Sequence, residues 1–184
     1  MSHFPLYLMR HGAPELTGRL LGHLDVPVTS AGAEACRARA AGLEIGRLWS
    51  SDLQRAQVSA QTLGTPGTDP RWRELDFGLW DGVAPADLDR QALSAFWADP
   101  EANAPPGGER WSELMQRVGS ALKDLSPEPT LIVTHGGPMR AALCHLLEID
   151  LQTAWRFDLP YAALLAFSVE AERPRRAQLT GLLA

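Results

Sequence analysis

Cysteine is scarce in this chain: there are two among 184 residues, Cys36 and Cys144. Both fall in stretches that read as helical, with no CxxC spacing, which excludes a disulfide framework. Free buried thiols and a cytoplasmic location are the expectation. Apolar runs are short, and none approaches the roughly 20 residues needed to span a bilayer. The N-terminus shows no basic stretch followed by a long apolar core, so no secretory leader is expected. Positive charge is not in surplus either: Lys and Arg number 17 against 22 Asp and Glu, a net charge of −5. That balance excludes broad attraction to nucleic acid or to an anionic membrane. Any anionic ligand must instead be met by a local positive pocket. There are no internal repeats and no low-complexity tract.

What is present is an ordinary globular composition, 45% hydrophobic and 21% charged. It suffices for one domain over residues 1–184 with a real core. Short apolar runs alternate with helical patterns, which predicts an α/β fold: a three-layer α/β/α sandwich with a mostly parallel sheet. The first strand is expected over Pro5 to Arg10. "TSAGAEACRARAAGL" predicts a helix capped by Thr29 or Ser30. "GRLWSSDL" reads as a second strand ending near Ser50. "QRAQVSAQTLG" reads as a second helix, with Ser51 and Asp52 as its caps. "GTPGTDP" is expected to be loop and "RWRELDFGLWDG" an extended stretch. The pattern weakens from 83 to 110, which predicts short helices and a loop forming a small lid insertion. "WSELMQRVGSALKDL" places Leu114, Val118, Leu122 and Leu125 on one helical stripe. "TLIVTHGGP" predicts a buried strand over Leu131 to Val133, ended by His135. Gly136 and Gly137 would turn the chain and Pro138 open the next helix. "ALLAFSVEA" and "RAQLTGLL" read as strands.

Two of these strands end in His-Gly: Arg10-His11-Gly12 and Thr134-His135-Gly136. In an open α/β sheet, ligands bind beyond the carboxyl ends of strands. The second pair runs into a helix N-terminus, which favours an anion. Arg55 falls in the first turn of its helix, where its charge opposes the helix dipole and a bound anion would offset that cost. Two arginines, two histidines and helix N-termini suit a phosphoryl group. His11 is a candidate nucleophile through one ring nitrogen if the other donates to a backbone carbonyl. "RELDFG" offers Glu74 and Asp76 as acids for the leaving oxygen.

At this point the sequence resembles the histidine phosphatase superfamily, the phosphoglycerate-mutase-like fold. The resemblance rests on an ordered set: "LMRHG", "GHLDVPVTSAG", "SSDLQRAQVSAQTL", "RELDFGLWDG", "PPGGE" and "VTHGG". It covers nearly the whole chain. It implies that His11 is transiently phosphorylated and that Arg10, Arg55 and His135 complete the phosphate pocket. It implies Glu74 as proton donor, by its place before Phe77-Gly78, with Asp76 second. No metal or organic cofactor is implied. Gly12 and Gly136 would approach the substrate. Many relatives carry Glu after the first His-Gly and an Asn further on. This chain reads "HGAPELTGR" instead, with Ala13 and no Asn, and Thr17 and Arg19 are the candidates for substrate contact there. Trp80-Asp81-Gly82 stands where relatives often have Trp-Glu-Gly. Trp80 and Trp97 are candidates for the pocket border. His23 is balanced between a loop role and a substrate contact, and His145 is expected to be structural.

The pattern most resembles α-ribazole phosphatases of cobalamin synthesis. The expected reaction is hydrolysis of a small-molecule phosphate ester, with no nucleic-acid or membrane partner, by a monomer or homodimer. A broad sugar or small-molecule phosphatase shares the pattern. A phosphoglycerate mutase is disfavoured because the 83–109 region holds one basic residue, Arg90. A non-catalytic phospho-ligand scaffold is the alternative of another class. A metal site is disfavoured because the histidines fall neither at i, i+4 nor beside clustered carboxylates.

Overall fold

A computed structural model describes residues 2–172 and 176–184. Its elements in chain order are β1 (His3–Arg10), α1 (Ser30–Arg39), β2 (Arg47–Ser50), α2 (Gln54–Gln61), β3 (Gly67–Thr68), α3 (Arg90–Ala98), α4 (Trp111–Asp124), β4 (Thr130–Thr134), α5 (Gly136–Leu147), α6 (Leu151–Ala154), β5 (Leu164–Glu170) and β6 (Ala177–Leu183). The six strands form one sheet in the order β3-β2-β4-β1-β5-β6. β3, β2, β4 and β1 run parallel, while β5 pairs antiparallel with β1 and with β6. This is the α/β sandwich with a mostly parallel sheet.

Alternation along the central strands divides the core. Leu6, Leu8, Ile132 and Phe167 face α4 and α5, with Leu114, Val118 and Met139 opposite. Met9, Leu131, Val133 and Leu164 face the other way, against Cys36 of α1 and Ala56 and Ala60 of α2. β1 and β4 are apolar on both faces because helices cover both. Cys36 and Cys144 are free and buried, and burial pushes each thiol up to about 11.

Several local expectations are corrected. α5 begins at Gly136, with His135 as its N-cap, so the two glycines form its first turn and Pro138 lies inside it. "GTPGTDP" contains β3. The extended stretch expected over "RWRELDFGLWDG" is interrupted by 3-10 turns at Pro70–Trp72 and Gly78–Trp80. Asp52 does not cap α2: its carboxylate takes Nε and Nη2 of Arg73 at 2.7 and 2.5 Å. The backbone N–H of Gln54 instead finds Asp25 Oδ1 at 2.7 Å, a cap delivered from the loop between β1 and α1. Gly12 is explained by packing rather than by unusual φ. A Cβ there would sit 2.1 Å from the carbonyl oxygen of Gly32, where the strand end meets the first turn of α1.

Candidate active site

The sheet register assembles the site. β1 and β4 are parallel neighbours with Arg10 opposite Thr134. The next residue on each, His11 and His135, must therefore also be adjacent, and their ring centroids lie 4.9 Å apart. The backbone N–H of His11 donates to Thr134 O at 2.9 Å, which fixes the end of the strand.

His11 Nδ1 lies 2.7 Å from the carbonyl oxygen of Gly12. A carbonyl can only accept, so Nδ1 carries the proton and Nε2 keeps its lone pair. Burial, then the charges of Arg55 and Arg10, hold the His11 pKa well below the ordinary value. The neutral, nucleophilic form is thus the resting form. His135 is fully buried, and neither of its ring nitrogens has a protein partner. Burial first, then Arg55, His11 and Arg10, push its pKa well down too.

These two histidines make stability pH-dependent. The unfolded chain takes up a proton at each imidazole below about 6.5, while the folded chain refuses it. Stability is therefore full above that pH and falls as pH drops below it. The limiting slope is about 1.4 kcal/mol per pH unit for each histidine. Denaturant titrations between pH 7.5 and 5.5 test this. His135→Asn is expected to flatten the acid slope, and an unchanged slope would contradict the assignment.

The arginines are held with donors to spare. Arg10 Nη1 donates to Leu159 O at 2.7 Å, and its Cζ stacks 4.3 Å from the Tyr161 ring centroid. Its Nε is buried without a partner. Arg55 has no exposed surface. Its Nη1 donates to Leu24 O at 2.9 Å and its Nη2 to Gly22 O at 2.7 Å, while Nε again has none. Asp81 aims those carbonyls: its Oδ1 accepts from Gly22 N–H at 2.8 Å and its Oδ2 from Leu24 N–H at 2.7 Å. Asp81 of the Trp-Asp-Gly stretch thus shapes the loop that holds Arg55. Among the described residues, no ion pair involves Arg10 or Arg55. Glu74, Asp25 and Asp81 offset part of the Arg55 charge from a distance, but neither arginine is directly paired, and together they form the local positive pocket that the net charge demands.

Glu74 faces this pocket. Its Oε1 accepts from the N–H groups of Leu75 and Gly137, both at 2.9 Å, and its Oε2 has no protein donor among the described residues. Its backbone is tied down by Arg117 of α4, which donates to the carbonyls of Arg71 and Arg73 at 2.7 Å and of Glu74 at 2.9 Å. Glu109 of "PPGGE" pairs with Arg117 at 2.6 Å, which explains that block. His23 sits behind Glu74, with Nε2 3.1 Å from Glu74 O and Nδ1 3.6 Å from Asp76 Oδ2. Asp76 accepts from Gly78 N–H at 2.8 Å and does not line the cavity. Glu74 thus lines the cavity and Asp76 does not, in the order in which the resemblance ranks them.

A cavity of about 190 Å³ opens over these groups, lined by Arg10, His11, Arg19, Glu74 and Gly136. Arg55 and His135, both fully buried, are not among its lining residues. Thr17 is not brought to it: the side chain is exposed, next to the turn at Gly18 (φ +72°). Trp97 borders the cavity, whereas Trp80 is core. His145 Nε2 meets Met115 O at 2.8 Å, joining α5 to α4. Sequence reasoning missed Arg140, Trp155 and Tyr161, which all line the cavity. The available signal was an arginine one turn into the helix that follows the second His-Gly. Among the described residues, no cluster of three or more His, Cys, Asp or Glu side chains is placed to hold a metal ion, and no helix is long and apolar enough to cross a membrane.

Gly137 gives a sharp test of the Glu74 geometry. A Cβ there would lie 2.2 Å from Glu74 Oε1. Gly137→Ala is expected to displace the carboxylate and lower turnover roughly 10²-fold. The melting temperature should change little, because the roughly 1 kcal/mol by which alanine favours a helix over glycine is offset by loss of the Glu74 contact to the Gly137 N–H. Unchanged kcat with an unchanged melt would contradict the role of this contact.

Residues 6–180 match the family model of the histidine phosphatase superfamily, branch 1. The chain is 29% identical to a candidate phosphoserine phosphatase of Hydrogenobacter thermophilus, over 96% of this chain and 95% of that protein. It is similar to the crystal structure of a phosphoglycerate mutase from Thermus thermophilus, at TM-score 0.75 and 33% identity, covering 98% of this chain and 99% of that one. It is similar also to the structure of a candidate α-ribazole-5′-P phosphatase from Escherichia coli K-12, at TM-score 0.86 and 25% identity, covering 100% of this chain and 97% of that one.

Proposed function

The chain belongs to the histidine phosphatase superfamily, branch 1, and on that premise we propose that it hydrolyses a small-molecule phosphomonoester through a phosphohistidine on His11. The observation that carries this reading is the His11 ring. Nδ1 is committed to Gly12 O, so Nε2 keeps its lone pair, and the charges of the buried Arg55 and of Arg10 act on the ring. In the first step Nε2 attacks phosphorus, the P–N bond forms and the P–O ester bond breaks. Glu74, through the Oε2 that no protein group occupies, gives its proton to the departing alkoxide. In the second step water attacks phosphorus, Glu74 takes the proton from water, and inorganic phosphate leaves with His11 restored. Arg10, Arg55 and His135 stabilise the charge on the transferring group.

The proposed substrate is α-ribazole 5′-phosphate, in a cytoplasmic enzyme of cobalamin synthesis. The cavity wall beyond the phosphate end supports a flat apolar leaving group: Phe77, Phe96, Trp97 and Trp111 lie there. Trp97 and Tyr161 are 40% and 36% exposed, offering stacking surface where a larger body would emerge. Arg90, the basic residue of the 83–109 region, does not line the cavity, which weighs against an acidic mutase substrate. A kinetic screen of α-ribazole phosphate, phosphoserine, sugar phosphates and phosphoglycerates tests the assignment. The highest kcat/KM is expected for α-ribazole phosphate. A higher value for phosphoserine, or mutase turnover of phosphoglycerate, would replace it.

A further inference from the structure

Arg140 is a further guanidinium at this site, beside Arg10, Arg19 and Arg55, and no step proposed above uses it. It projects from the second turn of α5 and lines the cavity with Arg10 and His11. Its plane is set by Trp155, whose ring centroid lies 4.4 Å from Cζ. Its donors are poorly satisfied. Nη1 reaches Gly136 O at 3.3 Å and Nη2 reaches Phe157 O at 3.4 Å, beyond the usual range for N–H···O bonds. Its Nε is buried with no partner. Among the described residues, it has no ion-pair partner. Burial lowers its pKa, Glu74 opposes that shift, and Arg10 adds to it.

The backbone of Gly136 shows where these groups converge. A Cβ built there would lie 3.1 Å from Arg140 Nη1, 3.8 Å from Glu74 Oε2 and 3.9 Å from Arg10 Cζ. Two guanidiniums and the free oxygen of the proposed acid surround one point, at the N-terminus of α5 and one residue past His135. Arg10 and Arg140 repel each other here; Glu74 and Asp158 offset part of that repulsion, and an arriving phosphoryl group would offset more. The spot is also too near Glu74 Oε2 for a second, permanent carboxylate.

We propose that Arg140 binds the transferring phosphoryl group as a catalytic residue, and that Trp155 is the positioning residue that holds its fork in plane. This rests on the phosphatase reading above and extends it to residues that reading leaves idle. The fork shares the phosphoryl oxygens with Arg10, and its unsatisfied donors are completed only when those oxygens arrive. Stacking on Trp155 keeps the guanidinium from turning away while the site is empty. Trp155 in turn packs on Trp97 of α3, with ring centroids 5.3 Å apart. The 83–110 segment thereby braces the phosphate site as well as lining the substrate wall.

The test compares Arg140→Ala, Arg140→Lys, Trp155→Ala and Trp155→Phe, using p-nitrophenyl phosphate turnover and the affinities of orthovanadate and inorganic phosphate. Arg140→Ala is expected to lower kcat/KM roughly 10²-fold and to weaken vanadate by a similar factor. Arg140→Lys should recover only part of this, since a point charge lacks the planar fork. Trp155→Ala should fall between wild type and Arg140→Ala, with Trp155→Phe restoring most of the loss. Vanadate and phosphate affinities unchanged in Arg140→Ala, with only the KM of larger esters altered, would overturn the proposal and make Arg140 a contact to the substrate body. Thermal melts without ligand separate lost folding from lost binding. If the alanine variant does not fold, Arg140→Lys carries the same comparison. Turnover retained in His11→Ala would sink the phosphohistidine reading. Turnover lost there, with phosphate affinity intact in Arg140→Ala, sinks the Arg140 assignment alone.

Discussion

His11→Ala is expected to lower kcat for every phosphomonoester by roughly 10⁴-fold or more, because in the proposed mechanism His11 is the group that accepts the phosphoryl. The site holds a second histidine 4.9 Å away, yet His135 cannot substitute. Neither of its nitrogens is fixed by a backbone carbonyl, so nothing selects its tautomer or aims a lone pair. His11 has both features: Nδ1–H is held by Gly12 O, and the backbone is held by Thr134 O on one side and Ala162 N–H on the other. Rapid quench with labelled substrate should trap an acid-labile phosphoenzyme in the wild type and none in His11→Ala. Trapped label in the variant, or turnover above roughly a hundredth of wild type, would move the nucleophile elsewhere. The same substitution should relieve part of the acid instability, since it removes one imidazole that cannot charge in the folded state. A gain in low-pH stability with a loss of catalysis would mark His11 as a residue held in an unfavourable environment for its chemistry.

How much of this site was legible beforehand depends on how local each signal is. β1 and β4 are apolar on both faces and flanked by helical patterns, so their ends, and the histidines on them, could be placed from pattern alone. Arg55 stood out because an arginine in a helix's first turn is locally unfavourable. The start of α5 was misplaced because two glycines argue against helix. Its first turn is stabilised by a tertiary contact, Glu74 Oε1 on Gly137 N–H, which no local rule encodes. The α2 cap failed for the same reason: Asp25 reaches Gln54 from a distant loop, while Asp52 is claimed by Arg73. Arg140 carries only a weak local signal, its place one turn into the helix after the second His-Gly, because a charged residue on a helix reads as solvated until its neighbours are known. Glu74 is ranked before Asp76 only through the resemblance, by its place before Phe77-Gly78. Arg117 and Glu109, from α4 and the loop before it, fix which one faces the cavity.

Glu74→Gln separates the two carboxylates functionally, and its signature lies in the leaving group. The glutamine keeps the side-chain length and can still accept from Leu75 and Gly137 through its carbonyl oxygen, so positioning survives while proton transfer does not. For an alkyl phosphate, whose alkoxide leaves poorly without a proton, the first step should slow by roughly 10²–10⁴-fold. For p-nitrophenyl phosphate the phenolate departs unassisted, and the first step should fall far less. Water attack still lacks its base, so the variant should accumulate phosphoenzyme with the aryl ester and show a burst of nitrophenol equal to the enzyme present. Asp76→Asn has no such route to the reaction. Its carboxylate serves the Gly78 N–H and neighbours His23, so loss of activity there should be modest and equal for both esters. Equal losses for both esters in Glu74→Gln, or a burst in Asp76→Asn alone, would exchange the two roles and require the loop after Trp72 to move on binding substrate.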